Sequence, residues 1–190
     1  CSLTVYSHPP ELLDFIAQQA MQLLEGDACV LFRFDHDRDL LAPQATTGVA
    51  LDLVQALTVP SGKEPAGEVV RERRPVAITD LSHSAGNGDA AGDGPADWIR
   101  GYGASIAVPL EAAADFYGVL AIYYRRPRPF SEEEVRLAQS FGANAALAIE
   151  NGRLREQLER GAAEAERSRL ARDLHDSVTQ ALFTASIQAE

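Results

Sequence analysis

The chain has 190 residues, 46% of them hydrophobic and 24% charged, a balance that excludes global disorder and collagen-like repeats. Its two cysteines, Cys1 and Cys29, exclude a four-cysteine zinc site or an iron–sulfur cluster built from this chain alone, and no apolar run approaches the ~20 residues of a membrane span. The formal net charge is −11, with 11 basic and 21 acidic residues in 1–150 against 6 and 7 in 151–190; so acidic a body repels phosphate backbones, which argues against direct nucleic-acid binding.

After Pro9-Pro10, the residues Leu12, Leu13, Ile16, Ala20, Leu23 and Leu24 recur at steps of three and four, which predicts an amphipathic helix stopped by Gly26-Asp27. Ala28 to Phe34 reads as a strand, Asp35 to Asp39 as a polar turn, and Leu40 to Thr46 as the returning strand. Leu51 to Leu57 suggests a short helix. A second is expected over Pro65 to Arg74, opened by Pro65 in its first turn and closed by Pro75. Val76 to Thr79 is a brief strand, and the Gly- and Asp-rich stretch 82–97 is expected to be a long loop.

Ser105 to Leu110 and Phe116 to Tyr124 form a second predicted hairpin around Ala112 to Asp115. Ser131 and Glu134 have capping-box spacing, and from there a helical pattern runs to the end of the chain, weakened by Gly142, Gly152 and Gly161 at about 1 kcal/mol each. The expected class is α+β: a mainly antiparallel sheet of two hairpins, one face of which needs a helical cover. The first helix and the one starting at Ser131 are the candidates for that cover. The first residue, Cys1, and a last segment without a helix stop signal lead us to expect a longer parent protein.

The order of these stretches resembles a GAF domain, a sensory fold related to PAS. Ala28-Cys29-Val30-Leu31-Phe32, Gly67-Glu68-Val69-Val70, Pro75 to Leu81, Ser105 to Leu110, Phe116 to Tyr123 and Phe130-Ser131-Glu132-Glu133-Glu134 carry the likeness. Further on, Glu166 to Leu182, with Arg172-Asp173-Leu174-His175-Asp176 at its centre and Gln180 four residues beyond Asp176, resembles the H-box of sensor histidine kinases of the nitrate/nitrite-sensor type. The two resemblances divide the chain into a sensory domain over 1–150, a signalling-helix linker over 151–166 and the start of a dimerisation and phosphoacceptor domain over 167–190. They imply a homodimeric, cytoplasmic sensor kinase that phosphorylates itself on His175 and then a response regulator. ATP and Mg2+ would be used by the parent kinase, and this chain would be inactive alone.

The residues fit that chemistry. Leu170, Leu174, Val178 and Leu182 form an apolar stripe, and His175 lies about 100° from Leu174 around the helix. A phosphoacceptor needs a neutral imidazole nitrogen, and Asp176 can hold the ring and accept its other proton, acting as general base. By resemblance, Gln180 would orient the water that hydrolyses the regulator's acyl phosphate. An ordinary surface histidine on an amphipathic helix is the bland alternative, and the match at Arg172, Asp173, Leu174, Asp176 and Gln180 outweighs it. Between the two regions Leu147, Asn151, Leu154, Leu158, Gly161 and Ala165 fall at alternating steps of three and four, a heptad seam expected to form a parallel coiled coil.

What the sensor would bind is less legible. Bilin attachment needs a thiol beside the pocket, whereas Cys29 is expected on a central strand as a small buried hydrophobe. The haem-binding subset carries a histidine just upstream of the Val-Pro strand, where this chain reads Asp97-Trp98-Ile99-Arg100. No metal site is expected: His83 in the loop and His36 among Asp35, Asp37 and Asp39 read as solvated. A small-molecule pocket lined by Trp98, Tyr102 and Tyr123, with Arg100 countering an anion, competes with a plain role for these aromatics in the core. A non-catalytic ligand-binding or dimerisation module is the alternative function. Methionine sulfoxide reduction, found on some GAF-like folds, needs several loop cysteines that this chain lacks.

Overall fold

The computed structural model describes the backbone of residues 10–54, 58–82, 99–112 and 115–187, and the side chains of these except at 10, 52, 53, 100, 162, 165 and 171–187. In chain order the elements are α1 (Pro10–Leu23), β1 (Ala28–Asp35), β2 (Leu40–Thr47), α2 (Leu51–Val54), β3 (Val59–Pro60), α3 (Glu64–Glu72), β4 (Val76–Ile78), a 3-10 turn (Ile99–Gly101), β5 (Ala104–Ala112), β6 (Asp115–Tyr124) and α4 (Glu132–Ile187). The expected loop over 82–97 lies, beyond Ser82, outside the described residues. Cys1–Glu150 and Asn151–Glu190 are separate compact units.

The six strands form one antiparallel sheet in the order β3-β2-β1-β6-β5-β4. The two hairpins read from the sequence therefore join through β1 and β6 at the centre. Pro43 sits in β2 because the ladder slips there: Leu31 faces Ala45, but Phe32 faces Pro43. A residue without an N–H is tolerated at such a bulge. Pro109 in β5 pairs with Val119, beyond the three residues that β4 reaches, so its missing donor faces no outer strand.

The expectation of a single covered face needs correction. Ala28 to Phe32 are all buried, so successive residues of β1 enter two different cores. A strand covered on both sides needs a continuous apolar run rather than an alternating one. Cys29, Leu31, Ile106, Val108, Leu110, Leu120, Ile122 and Tyr124 meet Leu13, Ile16, Ala17 and Ala20 of α1 and Ala138, Ala145, Ala146 and Ile149 of α4. These are the two helices expected as cover. On the opposite face Val30, Phe32, Leu41, Ala107, Val119, Ala121 and Tyr123 meet Val54 of α2 and Ala66, Val69 and Val70 of α3. Each large side chain so removed from water stabilises the fold by about 1.5–3 kcal/mol.

Cys29 is fully enclosed in the first core, and burial pushes its thiol far above the ordinary range. The end of α1 is tied to β6: the Tyr124 hydroxyl donates to the Leu24 carbonyl at 2.8 Å, and the Asp27 carboxylate accepts the Arg125 N–H at 2.7 Å. The capping box at the start of α4 forms as its spacing predicts. The Ser131 N–H donates to Glu134 Oε2 at 2.8 Å and the Glu134 N–H to Ser131 Oγ at 3.2 Å, while Arg128 pairs with the same carboxylate. Gly142 has a packing reason: an added Cβ would lie 2.8 Å from the Pro109 carbonyl oxygen and 3.1 Å from Val108 Cγ2. The helix can approach β5 this closely only without a side chain at that position.

Candidate functional site

Two regions carry candidate chemistry. The first is the second face of the sheet. Tyr123 on β6 is buried, and Tyr102, which follows the 3-10 turn, lies against it with ring centroids 5.6 Å apart at 52°. Glu64 opens α3, which crosses this face. Burial raises its carboxyl above the usual carboxylate range. Burial also lifts the Tyr123 phenol far above its ordinary value, and the neighbouring Glu64 charge adds to the effect. Tyr102 is raised by burial too, against the opposing pull of Arg125.

Glu64 also has an unusual backbone, with φ at 56°. That is the left-handed region, which costs a residue with a Cβ and favours glycine. Lys63, the residue before it, gives the helix no side-chain cap. Ser105 completes the polar set. It stands opposite Tyr123 on β6 and Ile78 on β4, is 0% exposed, and its hydroxyl has no hydrogen-bond partner among the described residues.

The second region is α4 beyond residue 150. The helix continues without a break to Ile187, so the backbone of His175, Asp176 and Gln180 is helical, as the repeat of apolar residues predicts. Their side chains lie outside the described set. Leu154, Leu158 and Leu170 are 45%, 74% and 50% exposed. Helical ion pairs on the same stretch, Arg160 with Glu156 and Arg169 with Glu166, are solvent-facing, where such pairs add little to stability.

Residues 7–150 match the GAF domain family. The chain belongs to the GAF domain family. Its last segment, residues 166–190, matches the histidine kinase family of phosphoacceptor segments. The sensor histidine kinase YhcY of Bacillus subtilis (strain 168) is 40% identical over 83 residues, which are 44% of this chain and 22% of that protein. The chain thus aligns with under a quarter of that relative's length. Among solved structures, the second GAF domain of DevS from Mycobacterium smegmatis superposes with a TM-score of 0.62 at 22% identity, covering 79% of this chain and 99% of that one. The GAF domain of an Acinetobacter phosphoenolpyruvate-protein phosphotransferase gives 0.61 at 18%, covering 75% and 82%. At these identities the structures speak for the fold. The chain is thus a GAF domain followed by a segment that matches the histidine kinase family, and a sensor histidine kinase is among its relatives.

The GAF domain brings together two of the four sequence-predicted pocket residues, Tyr102 and Tyr123. Trp98 lies outside the described residues, as does the side chain of Arg100. Glu64 and Ser105 were not anticipated. The sequence places the helix start at Pro65 and offers no sign that the residue before it takes a left-handed backbone. Ser105 reads simply as the polar first residue of an apolar strand. His36 sits in the β1–β2 turn, where Asp35 Oδ1 accepts the N–H groups of Asp37 and Arg38 at 3.0 and 3.1 Å. That turn is a self-satisfied loop, and no group of three or more metal-ligating side chains occurs among the described residues. No described helix is long and apolar enough to cross a membrane.

Proposed function

We propose that this chain is the input and phosphoacceptor portion of a cytoplasmic two-component sensor kinase, acting as a homodimer. The observation that carries this reading is Arg172-Asp173-Leu174-His175-Asp176 on a helix that begins inside the GAF domain and continues through the family-matched segment. ATP and Mg2+ are supplied at a catalytic domain of the longer protein. An imidazole nitrogen of His175 attacks the γ-phosphorus, the bond to the β,γ-bridging oxygen breaks and ADP departs. Asp176 holds the ring through its other nitrogen and takes that proton. The phosphoryl group then passes to a carboxylate of the response regulator, and Gln180 positions the water that hydrolyses the resulting acyl phosphate to phosphate and free carboxylate.

The exposed Leu147, Leu154 and Leu158 form one side of the dimer seam, as a parallel coiled coil. Asn151 fixes its register, and Gly161 keeps it weak enough to switch between packings. Gly161→Leu is expected to lock the output, and unchanged signalling in that variant removes the switch. The GAF domain takes a small-molecule ligand at the second face, where Tyr102 and Tyr123 meet, with Trp98 and Arg100 as further candidates from the sequence.

Incubating the full-length protein with ATP tests the main reading. An acid-labile, alkali-stable phosphate should form, and it should vanish in His175→Gln. The 190-residue chain by itself should incorporate none. Persistence of the phosphate in His175→Gln would reduce the chain to a ligand-binding or dimerisation module.

A further inference from the structure

The GAF unit leaves large apolar residues in solvent on one layer only. Phe15 and Leu23 of α1 and Leu137 and Leu147 of α4 are exposed, whereas among the described residues no large apolar side chain of α2, α3 or the six strands is. Both of these helices cover the first face of the sheet. Single apolar residues scattered over a surface need no explanation, but several confined to one layer mark an interface. Leu23 and Leu137 share the wall of a cavity of about 240 Å3, with Leu24, Ile106, Phe130 and the Arg128–Glu134 ion pair, at the end of α1 and the start of α4.

Register separates the two sides of α4 within this unit. Ala138, Gly142, Ala145 and Ile149 are buried, three of them in the first core. Leu137, Ser140, Asn144 and Leu147 are exposed, at steps of three, four and three. Counting on by four, three and four reaches Asn151, Leu154 and Leu158, which are exposed as well. Leu137 to Leu158 is therefore one unbroken heptad alternation, with Leu137, Asn144, Asn151 and Leu158 at a positions and Ser140, Leu147 and Leu154 at d positions.

We propose that a second copy of this chain docks on this face of the GAF unit, through a parallel, in-register seam that starts at Leu137. This rests on the reading of α4 as the dimer helix and deepens it: the GAF units are themselves part of the interface. The sequence of the stripe selects a second copy as occupant. Asn144 and Asn151 stand at successive a positions, and in-register pairing sets each amide against its own mate, which specifies register at some cost in stability. A helix of unrelated sequence offers no such match. Charge agrees. In a parallel pair the residue before an a position meets, on the other helix, the residue after the next d position. Glu150 precedes Asn151 and Arg155 follows Leu154, so Glu150 meets Arg155 of the partner subunit, twice over by the two-fold symmetry. One heptad earlier the same places hold Ala143 and Ala148, small and uncharged.

The test is sedimentation equilibrium of the 190-residue chain, with the GAF melting temperature followed alongside. Leu137→Asp should raise the dimer dissociation constant roughly tenfold or more and leave the melting temperature of the monomer unchanged. Ser140→Leu should tighten the dimer several-fold, a gain that misfolding cannot imitate. Glu150→Arg and Arg155→Glu should each weaken association, and the double variant should recover it. A dimer indifferent to both Leu137→Asp and Ser140→Leu overturns the interface on the GAF unit and leaves the seam from Leu147 onward standing. Where Leu137→Asp also unfolds the GAF unit, Ser140→Leu decides, and a failure to tighten overturns the proposal. Weakening in the two single charge variants without recovery in the double overturns the parallel, in-register arrangement. A parent chain that stays monomeric at every concentration overturns the seam itself, and the proposal with it.

Discussion

The GAF unit and the helix beyond it are built on opposite terms. In the first, most large apolar residues are buried within the chain: β1 feeds two cores at once, and α1, α3 and α4 cover them, while Phe15, Leu23, Leu137 and Leu147 stay exposed. In the second, the large apolar residues Leu154, Leu158 and Leu170 stand in solvent. The 56-residue α4 belongs to both regions, yet the same residue types serve the chain itself in one region and await a partner in the other. Substitutions should therefore read out differently in the two buried cores and along the exposed leucines of α4, in intrinsic stability in the one and in association in the other.

The largest effect separating the two regions is expected at Phe32, which is buried in the second core. Phe32→Ala should lower the unfolding free energy by about 3–5 kcal/mol, measured by urea titration of the GAF transition. Leu158→Ala should leave that transition within about 0.5 kcal/mol but shift sedimentation equilibrium toward monomer. If it instead destabilises the GAF unit, the contrast fails.

Two glycines of α4 sharpen the comparison. Gly142→Ala must force a Cβ against the Pro109 carbonyl and Val108, so it should destabilise the GAF unit by about 1–2 kcal/mol once the overpacking cost is offset by the helix propensity gained. Gly161 has nothing within reach of an added Cβ. Gly161→Ala should thus have the opposite sign and stabilise the helix by up to about 1 kcal/mol, read as helical ellipticity during melting.

The smallest effect lies at the start of α4. The Ser131 N–H holds the Glu134 carboxyl below its ordinary value near 4.5, with Arg128 assisting. A carboxylate depressed in the folded state contributes stability above its unfolded pKa and loses it as pH falls through the folded value. The carboxylate is partly exposed, so Glu134→Gln should cost under about 1 kcal/mol near neutral pH. The difference between the two melting temperatures should close as pH falls through the depressed folded value.

The fold was readable to the extent that local patterns determine it. The hairpins, α1, α3, the capping box and the continuity of α4 all follow from periodicity and punctuation. The two-residue β3 has no pattern of its own and exists because Leu40 and Leu41 offer it a partner. Burial of both sheet faces was written in the unbroken run Ala28 to Phe32, but half-covered antiparallel sheets are the more familiar case. Of the candidate sites, the phosphoacceptor helix was legible because its residues lie consecutively. The ligand face was legible only in its aromatics. Ser105 is legible only once β5 is paired, because its burial comes from lying between Tyr123 of β6 and Ile78 of β4, and the left-handed backbone of Glu64 is an angle that no neighbouring residue announces.

The seclusion of Cys29 has a practical consequence. A thiol enclosed in the first core and held protonated far above neutral pH should ignore maleimides and nitroxide reagents for as long as the GAF unit stays folded. With Cys1 replaced by serine, a single reporter attached through Leu158→Cys would then track the spacing of paired helices against a silent background, and sudden reactivity at Cys29 would announce unfolding.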